Sequence, residues 1–210
     1  MQTQKACDLD EIAAEIRAHG DRTGRRILVG VDGPGASGKS TLAALLADRL
    51  PGAVVVHVDD FYRPSRDERP GGYGADFDLE RLERQVLGPA SANRTVRYQR
   101  YDWDSDRLAE WHDVPADIPL VIEGVYSTRA GVRDLYTYRV YCHTPRELRL
   151  SRGLERDGAE AESQWVDEWM PAEDRYVDAE RPYHHADLVL DGTGTPSADG
   201  GPVFHRAVLS

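Results

Sequence analysis

The feature that most restricts how this chain can fold is the run Gly33-Pro34-Gly35-Ala36-Ser37-Gly38-Lys39-Ser40-Thr41, whose first eight residues satisfy G-x-x-x-x-G-K-[ST] without a mismatch. Its flanks supply the context the pattern requires. The apolar run Ile27 to Val31 before it has the length of a buried strand, and Leu42, Leu45, Leu46 and Leu50 after it mark one face of a helix. Glycines let the backbone curl so that successive N–H groups point inward, at the positive end of the helix dipole. Such a loop accepts an anion. Lys39 is placed to neutralise terminal phosphates, Ser40 to ligate magnesium through its hydroxyl, and Thr41 to reach the first phosphate of a nucleoside triphosphate. The whole stretch from Gly33 to Thr41 is therefore a candidate ATP contact.

The rest of the chain alternates strands and helices. Asp8 as N-cap with Glu11 three residues on predicts an opening helix, stopped at Gly20. Four further buried-type strands are predicted: Ala53 to Val58 after the break at Pro51-Gly52, Leu120 to Ile122, Tyr138 to Cys142, and Leu188 to Leu190. Phe77 to Leu87 reads as a helix, and Thr95 to Trp103 as a strand or an extended arm. Thr144, Pro145 and Glu147 have the form of a capping box with proline at the first helical position, opening a small lid over about 145–162. The alternation predicts an α/β protein: a P-loop NTPase fold with an approximately five-stranded parallel sheet, helices on both faces, and one domain over residues 1–210.

Composition narrows the partners. Lys and Arg number 26 against 37 Asp and Glu, a net charge of −11 that opposes binding to nucleic-acid backbones. The two cysteines, Cys7 and Cys142, make no metal or disulfide pattern and point to a reducing compartment. No stretch approaches the ~20 apolar residues of a membrane span, and Met1 to Asp10 lacks the apolar core of an export signal, so the expected location is the cytoplasm.

Phosphoryl transfer to an alcohol needs a carboxylate near the terminal phosphate to accept the proton of the attacking hydroxyl. In an open α/β sheet that group belongs at the carboxyl end of a strand, where Asp59 and Asp60 stand. Glu123, ending the Leu120 strand, is the candidate to hold magnesium through a water. Arg149, Arg152 and Arg156 recur at i, i+3 and i+7 on the lid helix and are candidates to clamp phosphates.

The order GPGASGKST, VDDFY (Val58 to Tyr62), DFD (Asp76 to Asp78), YDW (Tyr101 to Trp103), VIEG (Val121 to Gly124) and an arginine-bearing lid resembles the uridine kinase and phosphoribulokinase family, over roughly Arg26 to Asp191. The resemblance implies a magnesium- and ATP-dependent kinase acting on a small-molecule acceptor. It gives Asp59 the role of activating the acceptor hydroxyl, and Asp78, Tyr62 and Tyr101 places at the acceptor. Arg149 and Arg152 take the roles of lid arginines that meet the phosphates, Arg152 among the catalytic groups with Lys39. Where uridine kinases carry a histidine after the Y-D-F tyrosine, this chain has Asp104-Ser105-Asp106. The nucleoside reading therefore stands beside a kinase for a sugar acid, a pantothenate-like compound or an antibiotic, and beside an ATPase switch with no acceptor.

Overall fold

Leu28–Asp32 forms β1, and all five of its residues are buried, as expected of a central parallel strand with helices on both faces. The structure is a computed structural model and describes residues 7–194, 203–207 and 209. Before β1 lies α1, Leu9–Thr23, and after it α2, Lys39–Ala47. Then come β2 (Val54–His57), α3 (Leu79–Leu82), a π-helical turn (Glu83–Leu87) and α4 (Gly88–Ser91). Strands β3 (Val96–Asp102), β4 (Arg107–Val114), β5 (Leu120–Glu123) and β6 (Tyr138–His143) follow, then α5 (Arg146–Asp157). A π-helical turn (Gln164–Trp169) runs into α6 (Met170–Glu180), and β7 (Leu188–Asp191) and β8 (His205–Arg206) complete the chain.

The main sheet has the order β2-β5-β1-β6-β7-β8. Its five predicted strands are parallel, and β8 adds a sixth, antiparallel to β7. One core layer packs Ile12, Ile16, Leu42 and Leu46 against Val29, Val31 and Val140; the other packs Phe61, Leu82 and Leu87 against Leu28, Val56 and Ile122. The loops at the carboxyl ends of β1, β2 and β5 thus meet in one crevice, the usual ligand position of an open α/β sheet.

Two local expectations change, and one open alternative is decided. Asp8 does cap α1, accepting from the Asp10 N–H at 2.8 Å, but the helix runs through Gly20 to a left-handed cap at Gly24. A side chain at Gly20 would meet Ile27 at 2.8 Å, so this glycine is there for close packing. The Thr144 capping box does not form: Pro145 is the N-cap, without a side-chain bond. The Thr144 hydroxyl faces the carbonyls of Ser37 (3.2 Å) and His143 (2.8 Å), tying the start of α5 to the glycine-rich loop. Finally, the arm at Val96–Asp102 pairs with β4 as an antiparallel hairpin outside the main sheet.

Candidate functional site

The loop between β1 and α2 is shaped by positions where only glycine fits. Gly33 has φ +143° and a side chain there would lie 2.3 Å from the Cys142 carbonyl; Gly38, at φ +93°, caps α2 with no side-chain bond. No acidic residue lies in the first turn of α2, so its N–H groups face the crevice without a side-chain anion of their own. Lys39 is 7% exposed and its Nζ donates to the Pro34 carbonyl at 2.8 Å, folding the lysine back over the loop.

Asp32, at the end of β1, is fully buried and anchors the loop from below. Its Oδ1 accepts from the Gly33 N–H at 2.6 Å. Its Oδ2 accepts from the Thr128 N–H and hydroxyl, both at 2.8 Å, and from the Tyr176 hydroxyl at 2.7 Å. Burial raises the Asp32 carboxyl above its ordinary value despite these donors.

A cavity of about 1080 Å³ opens over the loop. Its floor holds Gly35 to Thr41, Asp59 and Glu123, and its walls include Tyr62, Phe77, Trp103 and Tyr126. Arg152, Arg156, Trp165, Glu168, Glu173 and Arg175 close it from the lid side. Glu123 is 5% exposed; its Oε1 accepts from the Ser40 hydroxyl at 3.2 Å and stands 2.5 Å from His57 Nδ1. Burial would raise Glu123, but the bond from His57, the charges of Lys39 and His57 and the Ser40 hydroxyl outweigh it and hold the carboxyl below its ordinary value. His57 moves the other way, raised chiefly by donating to Glu123, so the two partners agree on an ion pair.

Asp59 lies in the 3₁₀ turn Val58–Phe61 that follows β2. Its surface is open, but it opens onto the cavity, while protein surrounds it on the longer scale that governs hydration. Burial first and the Glu123 charge second raise its pKa, against the opposing charges of Lys39, His57 and Arg156. Asp60 is also raised by burial, yet it is not on the cavity wall. Tyr62 carries an aromatic platform: its ring centroid is 4.6 Å from Trp103 and 5.3 Å from Phe77.

A model of the phosphoribulokinase / uridine kinase family matches residues 72–195. The chain belongs to that family. It is 24% identical to a uridine kinase of Borrelia turicatae over 181 residues, covering 80% of this chain and 87% of that one. It is 26% identical to a uridine kinase of Lactobacillus johnsonii over 194 residues, covering 81% and 88%. A solved structure described as a possible uridine kinase from Bacillus stearothermophilus superposes with a TM-score of 0.61 at 24% identity, over 85% of this chain and 98% of that one. The chain is thus a P-loop small-molecule kinase with the α/β fold of that family. Among the described residues no helix is long and apolar enough to cross a membrane.

Within this kinase, the structure brings together Gly35 to Thr41, Asp59, Tyr62, Glu123 and Arg152 on one cavity. Gly33 and Pro34 shape the loop from behind. Three sequence candidates stand away from the wall. Asp78 is the N-cap of α3, accepting from the Arg81 N–H at 3.0 Å, and faces Arg63 at 3.7 Å. Tyr101 is 4% exposed behind Tyr62 and Trp103, and its hydroxyl donates to Asp106 at 2.8 Å. Arg149 is 4% exposed and held by Glu173 at 2.9 Å and the Thr144 carbonyl at 3.2 Å, whereas Arg152 reaches the wall and donates to the Gly192 carbonyl at 2.9 Å. The segment over the cavity also extends past 162, through Gln164 to Arg175. Sequence reading missed His57, Glu173, Trp165 and Arg175. Only His57 left a trace, as a polar residue ending an apolar strand beside two aspartates.

Proposed function

We propose that this kinase transfers the terminal phosphoryl group of magnesium-ATP to a hydroxyl of an uncharged, ring-bearing small molecule of the nucleoside type, with Asp59 accepting the hydroxyl proton. The supporting observation is the position of Asp59: on the same cavity wall as the glycine-rich loop, Lys39 and the Tyr62–Trp103 platform, and the one strand-end carboxylate there whose side chain accepts no hydrogen bond among the described residues.

The residues present fit the donor. The first-turn N–H groups of α2 lack a side-chain anion, and the glycines leave room for a phosphate where side chains would fill it. Gly35 to Thr41 and Lys39 would hold the phosphates, with Arg152 over them; Ser40 and Glu123, 3.2 Å apart, would hold magnesium. Bound there, the metal neutralises phosphate charge and orients the transferring group. The chain's own part is to position and to move a proton. Asp59 takes the hydroxyl proton onto its carboxylate, and its raised pKa makes it a better base than an ordinary aspartate. His57 keeps Glu123 ionised and fixed.

The walls favour an acceptor without negative charge. Seven carboxylates line the cavity (Asp59, Asp76, Glu123, Asp157, Asp167, Glu168, Glu173) against four cations (Lys39, Arg152, Arg156, Arg175), so a sugar acid or a pantothenate-like acceptor meets net repulsion. An aromatic platform suits a planar ring. Asp78 and Tyr101 enter this reading as supports of the platform and the Tyr62 turn, reaching acceptor only if the arm moves.

Comparing Asp59→Asn with Asp60→Asn tests the assignment. Asp59→Asn should lower kcat by about a hundred-fold to ten-thousand-fold, with ATP affinity unchanged, and Asp60→Asn should be much milder. Equal activity in both variants would remove Asp59 from the chemistry.

A further inference from the structure

One carboxylate already sits among the groups that a phosphate would use. Glu173, on α6, is 6% exposed and lines the cavity. Its Oε1 accepts from the Gly35 N–H of the glycine-rich loop at 2.9 Å, and its Oε2 accepts from Arg149 at 2.9 Å. The Trp165 ring closes the same spot: a side chain built on Gly35 would meet that ring and Glu173 Oε1, each at 2.9 Å. The positive charge of Lys39 acts on Glu173 as well, offsetting part of the effect of its burial. The carboxylate thus takes a loop amide, a lid guanidinium and the field of the loop lysine. These are the three kinds of donor that grip a terminal phosphate oxygen in a nucleotide site.

We propose that Glu173 is an internal phosphate mimic: in the empty kinase its carboxylate occupies the Gly35 amide and Arg149, and the terminal phosphate of the donor displaces it, drawing Arg149 onto the phosphate. This rests on the reading of the loop as the donor site. Two anions cannot share one amide and one guanidinium in a partly desolvated cleft without strong repulsion, so binding of the triphosphate and release of Glu173 are one exchange. The exchange explains how Arg149, turned inward here, reaches the phosphates that its place on the lid helix suggests. It also couples donor to lid, because Glu173 and Trp165 belong to the same covering segment.

The test is the affinity of metal-free ATP, ADP and AMP, measured calorimetrically in EDTA for the parent chain, Glu173→Gln and Glu173→Asp, with a thermal melt to establish that each is folded. Glu173→Gln keeps an oxygen for the Gly35 amide and removes the charge, so ATP should bind about tenfold tighter. The gain should shrink for ADP and vanish for AMP, which lacks the terminal phosphate. Glu173→Asp keeps the charge but withdraws it by one methylene, and should gain about threefold; it also carries the test if the glutamine variant does not fold. Adding Arg149→Ala to Glu173→Gln should erase the gain. ATP binding that is equal or weaker in both single variants overturns the proposal while leaving the donor site standing. A parent chain that binds none of the three nucleotides overturns the donor-site reading and this proposal with it.

Discussion

Replacing Tyr176 by Phe should lower the melting midpoint of this kinase by about 3–12 °C. The Tyr176 hydroxyl donates to Asp32 Oδ2 at 2.7 Å, and both residues are buried. Phenylalanine keeps the ring contacts with Tyr73 (centroids 5.3 Å) and Tyr126 (5.0 Å), so the change removes the hydroxyl and its bond to Asp32 without removing the ring. A hydrogen bond to a charged group contributes about 1.5–3 kcal/mol, and each kcal/mol moves the midpoint of a chain this size by about 2–4 °C. The Gly33 and Thr128 donors remain on Asp32, which keeps the loss within that range. The pH dependence follows from the raised Asp32 pKa. A group raised on folding contributes stability that is lost as pH rises through its folded pKa, so the parent chain gains from Asp32 as pH falls. In the variant the lost donor stabilised the ionised form, so the difference between the two proteins should be largest above that pKa and shrink below it. Differential scanning calorimetry from the ordinary aspartate value of about 4 upward measures both features. A midpoint within 1 °C of the parent at every pH would show that the Tyr176–Asp32 bond does not hold α6 to the loop.

Lys39→Ala should abolish detectable phosphoryl transfer with little change in the melting midpoint; steady-state transfer near the parent rate would remove the lysine from the donor site. Because burial and the Glu123 charge raise Asp59, the acidic limb of kcat/KM should lie above the ordinary aspartate value of about 4. Asp59 acts deprotonated, so activity falls as pH drops through that limb. Arg156 lowers the Asp59 pKa, and Arg156→Ala should therefore move the limb to higher pH; an unmoved or lowered limb would contradict the assignment.

What was legible in the sequence is what local pattern encodes. The glycine-rich loop needs its residues in fixed order, and the parallel strands stand out as apolar runs, most clearly the central β1 and β5, which are buried on both faces. Strand β4 did not stand out, because Arg107–Val114 is charged and only half covered, and β8 has two residues. Thr144 carried a capping signature that tertiary contact with Ser37 overrides. Glu173 was invisible for a different reason. Its partner Gly35 lies 138 residues away, and nothing in the α6 sequence distinguishes a carboxylate folded onto a phosphate loop from one facing water. The direction of each lid arginine is likewise set by packing: Arg149 turns inward to Glu173, and Arg152 outward to the cavity wall.

The most direct measurement of the central claim is mass spectrometry of products formed from magnesium-ATP and a mixed pool of nucleosides, neutral sugars, cationic antibiotics and anionic alcohols, with ATP consumption followed in parallel. The account predicts one added phosphoryl group on an uncharged, ring-bearing alcohol, and ATP consumption that stays near background until that alcohol is present. ATP consumption at the same rate with and without the pool, or phosphorylation confined to anionic alcohols, would contradict it.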